Sequence, residues 1–542
     1  MTNSGRHAFL ILTAGAVSHE LAPIFGDVPS ALIPLRGKPV LMHNLKTVLP
    51  ATQSELYVVV GHKKELIERR VFRYLKADEK ARIHEIVSDP ARRPGYSFAL
   101  ALEAARRDGI EHVTVVLGDT LITPEVMAEL PKDGAFIAVS HTYTNPSRWA
   151  LVQSVQPLVI LNKPEGVTTP DEPAIIGVYH LRDIQGFEPP PADCEISDVL
   201  VAYSQREPFR LVEIHDWIDI GHVDNYYTAR KKFIVTRHFN RIQVDEFANL
   251  LTKSSENKAK LIAEIDWYEG LPPELRWGYP AVFATDRAKP SVTMEFVPYP
   301  SLDELFLYSD LHESTWSVVL DKLVRLLRLF NSYKAQVSLD DYREIYVGKV
   351  RSRIEELKRQ SDVLRPLLEA PGLTINGSEC MSVAQAIDGI ESLMPRLWKE
   401  DDHSIIHGDF CFANILYSPE SGAVKVIDPR GAWGKPGITG DIKYDYAKLL
   451  HSISGGYDSI IADYCDVRWN GGSIDTSVFK PRVSEFLERT LFASMPYRPE
   501  VIELLEGSIF ISIAAIHKED VRRQLAMLAV GLEKITRNLG RV

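Results

Sequence analysis

Residues 407–416, HGDFCFANIL, followed by AVKVIDPRG over 423–431, set three side chains in order: Asp409, Asn414 five positions on, and Asp428 closing an apolar run. Phosphoryl transfer asks a protein for such a set. It needs the two reacting oxygens in line and the phosphate charge neutralised, usually by magnesium. An acidic group beside the attacking hydroxyl can take its proton, and oxygen donors from Asn and Asp suit a hard divalent cation.

Two kinds of pattern must position these groups. Over the first 240 residues, apolar runs of strand length (AFLILTAG, ELYVVVG, HVTVVLGD, GAFIAVSH) each end in Gly, Asp or a polar turn, and helical stretches such as PVLMHNLKTVL and SFALALEAARRDG lie between them. This alternation predicts an α/β domain with a mixed, mainly parallel sheet covered on both faces. Ligands bind such sheets beyond the carboxyl ends of the strands, where Gly15 and Asp119 fall. Near residue 240 the pattern changes. TARKKFIVTRHFNRIQVDEF reads as a helix running into a connector. FANLLTKSS, AVFAT and SVTMEFV read as strands of a small sheet interrupted by the helical NKAKLIAEIDWYEGL, and from about residue 301 the chain is mostly helical. No internal repeat or low-complexity tract occurs.

The bulk numbers bound the partners. At 542 residues two or three domains are expected. A net charge of −11 argues against a nucleic-acid partner held through phosphates. Cys194, Cys380, Cys411 and Cys465 lie far apart with no CxxC pair, which excludes a zinc ribbon and suits free thiols in a reducing cytoplasm. The apolar run near the N-terminus is short for a signal peptide, and GSIFISIAAI is about half a membrane span. The expectation is a cytoplasmic protein with no membrane partner.

With HGDxxxxN and the downstream GDIKYDYAKLL, the second half resembles the aminoglycoside phosphotransferase and choline kinase superfamily, which shares the protein-kinase fold. The resemblance implies a bilobal α+β domain over 241–542, with an N-lobe over 241–297 and a C-lobe over 298–542. It makes Asp409 the base, Asn414 and Asp428 magnesium ligands, and Asp445 the brace of the loop. Lys253 ends a strand and Glu264 lies eleven residues on in a helix. They would be the pair that orients the ATP phosphates, with Lys258 and Lys260 as competitors for the lysine. MEFVPY, with Glu295 and Val297, falls at the adenine-binding hinge. Gly408 stands where protein kinases carry Arg, no GxGxxG precedes Lys253 and no APE segment follows Asp428, all of which favours a small hydroxyl acceptor. His407 reads as a structural loop residue and Cys411 as a small apolar filler. Tyr346, Lys349 and Arg353 share a helical spacing, as a ligand-facing stripe or, in the plainer account, a solvated helix face.

Residues 8–235 resemble the sugar-phosphate nucleotidyltransferases, which join a sugar phosphate to a nucleoside triphosphate and release pyrophosphate. FLILTAG and PSALIPLRGKPVL resemble the family's opening, with Gly15 in the nucleotide-binding loop, and PGYSFALALEAA the base-contacting segment, where Gly95 would let the ring approach the backbone. The resemblance makes Asp119 of VVLGD and Asp219 of DWIDIGH the two metal ligands and places Lys163 of NKPEG on the substrate phosphate. Two carboxylates on one magnesium beside a lysine suit attack at an α-phosphate. The opening loop departs from the family's LAAGxGxR and PKxLLPV: Ser18 replaces the second glycine, Glu20 the arginine and Ser30 the lysine. Lys38, His19 and Arg36 are candidate replacements for the missing cations.

Together the resemblances imply a bifunctional enzyme using magnesium, ATP and a second NTP. It would phosphorylate a sugar, polyol or amino alcohol, then activate the ester with CTP in preference to UTP or GTP, for cell-surface polysaccharide or glycoconjugate synthesis. The alternative is a single-activity small-molecule kinase whose first domain only binds nucleotide or regulates. An antibiotic-inactivating kinase would leave the first half unexplained. Sugar nucleotidyltransferases often assemble through such domains, so the resemblance admits a homo-oligomer.

Overall fold

The structure is a computed structural model, and it describes residues 5–51, 54–143, 145–165, 172–190, 193–232, 240–245 and 247–542. The chain divides into two compact units, Met1–Phe233 with Tyr308–Asp310, and Ile234–Leu307 with Leu311–Val542. The expected connector near residue 240 lies largely outside the described residues.

In the first unit the expected strands form as β1 (His7–Thr13), β2 (Glu55–Val60), β4 (His112–Leu117) and β6 (Phe136–Ser140). They are joined by β3 (Ile83–Val87), β7 (Ala150–Val155), β8 (Leu158–Asn162), β9 (Ala174–Leu181) and β10 (Arg210–Glu213). The order is β8-β7-β9-β4-β1-β2-β3, with β6 beside β9 and β10 beside β6. Strands β4, β1, β2 and β3 run parallel. Beyond β4 the sheet is different: β9 is antiparallel to β4, β6 and β7, and β8 to β7. The sheet is thus mixed, as expected, but its parallel character is confined to one half and to the β6–β10 pair.

Alternate side chains of a strand face opposite sides. Ala8, Leu10 and Leu12 of β1 join Phe98, Ala101, Leu102 and Ala105 of helix α3 (Pro94–Arg107). Phe9 and Ile11 join Leu41, Leu45 and Val48 of α1 (Val40–Ala51) and Ile67 of α2 (Lys64–Arg70). Both faces are therefore covered, and removing one ring such as Phe98 would cost about 3–5 kcal/mol.

The second unit opens with a four-stranded antiparallel sheet of order β12-β13-β15-β14: β12 (Asn240–Asp245), β13 (Leu250–Ser255), β14 (Val282–Asp286) and β15 (Ser291–Glu295). The strand β12 corrects the expectation of a helix running into a connector here. Helix α5 (Lys258–Gly270) follows β13, its first turn capped by the Asn257 side chain accepting from the Lys260 N–H. Its buried stripe is Leu261, Glu264, Ile265, Trp267 and Tyr268, so one carboxylate sits in an otherwise apolar row.

The remainder is mostly helical, as expected. Helix α6 (Lys349–Gln360) continues directly from a π-helical turn, Glu344–Gly348. Helix α7 (Val383–Leu397) starts on a capping box between Ser382 and Gln385. The loop at 407–414 leads into the hairpin β16 (Ile415–Tyr417) and β17 (Val424–Val426), and α8 (Ile442–Ile453) follows. The apolar run GSIFISIAAI lies largely in a helix, Pro499–Ala514, that is buried on nearly all sides. Among the described residues no helix is long and apolar enough to cross a membrane. A second small sheet, formed by Gly372–Ile375, Ser378–Met381, Cys465–Asn470 and Ser473–Val478, had no counterpart in the sequence reading. Among the described residues no disulfide forms, and all four cysteines are thiols.

Candidate active sites

In the first unit the chain leaves β4 through Gly118 and Asp119 and forms a two-residue strand, β5 (Thr120–Leu121), paired antiparallel with β11 (Ile218–Asp219). That register sets Asp219 opposite Thr120 and Asp119 beside Ile220, whose N–H donates to the Asp119 carbonyl at 3.0 Å. A Cβ built on Gly221 would lie 2.9 Å from Asp119 Oδ2 and 3.3 Å from Asp219 Oδ1, so both carboxylates converge on one glycine. Burial and the charge of Asp119 push the Asp219 carboxyl up to about 7, and burial raises Asp119 as well. Asn225 Nδ2 donates to Asp219 Oδ2 at 2.8 Å. Two enclosed carboxylates, both raised by burial and one raised further by the charge of the other, fit a divalent cation.

The other residues singled out from the sequence surround this pair unevenly. Lys163 is exposed at the end of Leu158–Asn162, with a left-handed backbone (φ 45°), and its charge acts on Asp119. Gly15 is open at the carboxyl end of β1, with nothing within 4 Å of a Cβ placed there, and its carbonyl accepts from the Ser30 N–H. At Gly95 a Cβ would lie 2.4 Å from the Cys194 carbonyl oxygen and 2.5 Å from that of Glu195, so packing against 194–195 by itself excludes a side chain. Glu20, at the position of the family's arginine, is held by Arg148 at 3.1 Å and by the Val223 N–H at 3.2 Å. Arg148 also reaches Asp224 at 3.0 Å. Nothing in the spacing of residues points to this counter-charge, which lies 128 positions away.

In the second unit, Lys253 ends up where three carboxylate oxygens meet. Its Nζ lies 2.8 and 2.9 Å from the two oxygens of Glu264 and 2.8 Å from Asp428 Oδ1. Lys253 is 6% and Glu264 3% exposed, so each needs the other. Burial and the charge of Asp428 push the Glu264 carboxyl up to about 7. Lys258 is exposed, while Lys260 also lines the recess and its charge acts on Glu264. Asp428 has a left-handed backbone (φ 58°). Three residues on, a Cβ at Gly431 would lie 1.9 Å from the Ala263 carbonyl oxygen, which seats this loop directly against α5.

Asp409 lines the same recess as Lys253, Glu264, Asp428, Pro429 and Arg430. Its loop is fixed from below by Asp445, fully buried in α8, which accepts from the N–H groups of His407 (2.6 Å) and Gly408 (2.8 Å). His407 Nδ1 accepts from the Asp409 N–H and its Nε2 lies 3.0 Å from the Ile427 carbonyl; burial lowers the imidazole to about 4, which keeps it neutral. Asn414 Nδ2 donates to the Asp409 carbonyl at 2.9 Å, leaving Oδ1 as an acceptor. Cys411 is buried. Oxygen donors from Asn414 and Asp428, the latter side chain 36% exposed, fit a magnesium ion completed by phosphate and water. Among the described residues no group of three or more His, Cys, Asp or Glu converges to hold a metal alone, so either site would need its substrate's phosphates.

At 295–297, Glu295 Oε2 accepts from the Ala281 N–H and meets Lys425 at 3.4 Å. Val297 makes no backbone hydrogen bond among the described residues. Two groups escaped the sequence reading. Lys448, 4% exposed, pairs with Asp409 Oδ1 at 2.9 Å. It lies three residues after Asp445 on one helix, so the spacing could have revealed it. Arg430 donates its N–H to the His407 carbonyl (2.9 Å) and its Nη1 to Tyr444 (3.0 Å). The stripe at 346–353 is not a solvated face. Tyr346 is 1% exposed and donates to Asp441, while Lys349 and Arg353 are half-buried.

Comparison with known proteins bears on the first unit. Residues 10–161 match the family described as the MobA-like NTP transferase domain, so this unit carries a nucleotidyltransferase domain. Its relatives include the bifunctional protein GlmU of Methanococcus maripaludis (strain C7), 25% identical over 235 residues, covering 42% of this chain and 54% of the relative. GlmU of Mycobacterium sp. (strain KMS) is 32% identical over 130 residues, covering 24% of this chain and 25% of the relative. The chain thus spans about half the length of the first of these relatives. Similar solved structures include the inositol-1-phosphate CTP transferase from T. maritima (16% identity, TM-score 0.33, 41% of this chain and 92% of that one). Another is the nucleoside-diphosphate-sugar pyrophosphorylase from Vibrio cholerae RC9 (14%, TM-score 0.32, 41% and 99%).

Proposed function

We propose that the chain is a bifunctional enzyme with its boundary near residue 240. The second part phosphorylates the hydroxyl of a small molecule with ATP; the first joins the resulting ester to an NTP, with CTP favoured, and releases pyrophosphate. The product would serve cell-surface polysaccharide or glycoconjugate synthesis. The observation that carries the reading is Lys253 bridging Glu264 and Asp428 in the recess that Asp409 lines.

In the phosphorylation, the acceptor oxygen forms a bond to the γ-phosphorus as the bond to the bridging oxygen breaks. ADP leaves with that electron pair, and Asp409 takes the hydroxyl proton. Lys448 holds the Asp409 carboxylate, and Asp445 holds the loop that carries it. Lys253 is fixed by Glu264 to meet the α- and β-phosphates, and Val297 offers its backbone groups to adenine. Asn414 and Asp428 would hold magnesium, which when bound neutralises the phosphate charge. In the first part, Asp119 and Asp219 would hold the second magnesium, Lys163 the phosphate of the ester, and Gly15 would border the nucleotide.

A second reading has one observation in its favour: Glu20, spent on Arg148, leaves the opening loop without the cation usual there. It makes the first part a nucleotide-binding or regulatory domain of a single-activity kinase. One experiment separates the two. The protein is incubated with magnesium, ATP and a panel of hydroxyl compounds, each of the four NTPs is added, and pyrophosphate is followed. Release with one NTP and a phosphorylated acceptor is expected; no pyrophosphate with any competent ester leaves only the kinase.

A further inference from the structure

The acceptor side of the Asp409 recess has a surplus of positive charge. Arg430 lines the recess beside Asp409 itself. Lys349 and Arg353, one turn apart at the start of α6, follow Tyr346, whose ring lies 6.0 Å from that of Tyr444, the residue bonded to Arg430, and the three charges act on one another. Arg353 is anchored by Nη1 to Ser512 Oγ at 2.8 Å, and Arg430 by Nη1 to the Tyr444 hydroxyl, both neutral partners. None of the three has a carboxylate within ion-pair distance among the described residues. Few acids reach them: Asp409 acts on Arg430 and Lys349 but is paired with Lys448, Glu344 acts on Lys349, and Glu356, which acts on Arg353, is paired with Lys518. Glu344 is exposed on the π-helical turn that delivers Lys349. π-Turns inside helices recur at functional sites because they re-aim the side chains that follow.

Three half-buried cations are costly where the carboxylate that two of them share, Asp409, is already paired with Lys448, and the cost is relieved when a ligand brings the anion. Burial and the Arg430 charge pull the Lys349 ammonium down to about 7, as expected where positive charge is crowded. One phosphoryl group in transfer, already met by Lys253 and magnesium, does not call for three more cations from two further elements.

We propose that the phosphoryl acceptor is a hydroxyl compound that also carries an oxyanion, a carboxylate or a phosphate, received by Arg430, Lys349 and Arg353. This rests on the phosphotransferase reading of Asp409 and narrows it. Two guanidinium forks match either oxyanion, and a cationic acceptor such as an amino alcohol is repelled by the same cluster.

The test uses the full chain with magnesium and ATP and reads ADP formation on matched acceptors. Glycerol, D-glycerate and glycerol 3-phosphate form one series; glucose, gluconate and glucose 6-phosphate another; ethanolamine and choline supply the cationic arm. The anionic members of at least one series should exceed the neutral one in kcat/KM by about tenfold or more, and the carboxylate and phosphate arms tell which oxyanion is used. In Lys349→Met, and separately in Arg353→Lys in case the first variant folds poorly, that ratio should collapse toward one through a rise in acceptor KM. Neutral or cationic acceptors that match their anionic congeners overturn the proposal and leave the phosphotransferase standing. No ADP with any acceptor removes both.

Discussion

Lys253 has two roles that can be separated by mutation. Bonded to both oxygens of Glu264, it offsets a buried carboxylate; as a phosphate ligand, it would act in the reaction. Lys253→Met should therefore cost roughly 3–5 kcal/mol of stability by leaving Glu264 uncompensated. Adding Glu264→Leu should restore most of the stability and none of the kcat/KM for ATP, measured by urea unfolding and by ADP release. Recovery of activity in the double variant would remove Lys253 from the phosphate-binding role. At this scale the sequence was readable where roles depend on order and spacing. Asp409, Asn414, Asp428 and Asp445 are brought together around one loop. It was opaque where a role depends on a partner far along the chain: Arg148 lies 128 residues from the Glu20 it neutralises. The Lys349 and Arg353 pair was misread because a helical spacing says which residues share a face and nothing about what that face meets.

Among the elements, the loop that carries Asp428 is seated by contact with the backbone of α5. Gly431→Ala would push a methyl group into the Ala263 carbonyl at a left-handed position (φ 60°). A displacement of that loop by about 1 Å should lower phosphotransfer by about a hundredfold, read as kcat at saturating ATP. The central sheet of the first unit carries a different liability. His7 Nε2 and His180 Nδ1 both meet the Thr114 hydroxyl, at 2.9 and 3.0 Å, and burial lowers His7 to about 4 and His180 to about 3. Their unfolded values lie near 6.5, so the unfolded chain binds the protons first as pH falls. Stability contributed by the neutral rings is complete above pH 6.5 and is lost as pH drops toward 4, by about 3 kcal/mol for His7 alone. Chemical unfolding at pH 7 and pH 4.5 checks this, and His7→Asn should flatten the dependence. Long alternating strands and amphipathic helices were legible here. β12 was not, because Arg241, Gln243 and Asp245 face outward between Ile242 and Val244, and its charge density imitates a solvated helix. The small sheet over 372–478 was missed because its strands are short, exposed and joined across about a hundred residues.

For the whole molecule, the change from strand–helix alternation to a small sheet followed by helices was legible from hydrophobic periodicity alone. The antiparallel half of the large sheet was not, since a strand buried on both faces reads alike in either direction. If the two sites are chemically independent, Asp409→Ala should abolish phosphorylation and leave nucleotidyl transfer from a supplied ester intact. Asp219→Ala should do the reverse. Loss of both activities in either variant, in protein that melts normally, would tie the two reactions to one site. The contact between Gly431 and Ala263 also bears on how such a chain can evolve. Every base change that leaves glycine at 431 adds a Cβ, so this position has no viable neighbour in sequence space. Lys349 and Arg353, half-buried on one helix face, can be exchanged one codon at a time. A lineage of these proteins would then keep its phosphate-handling turn frozen while its choice of acceptor drifts.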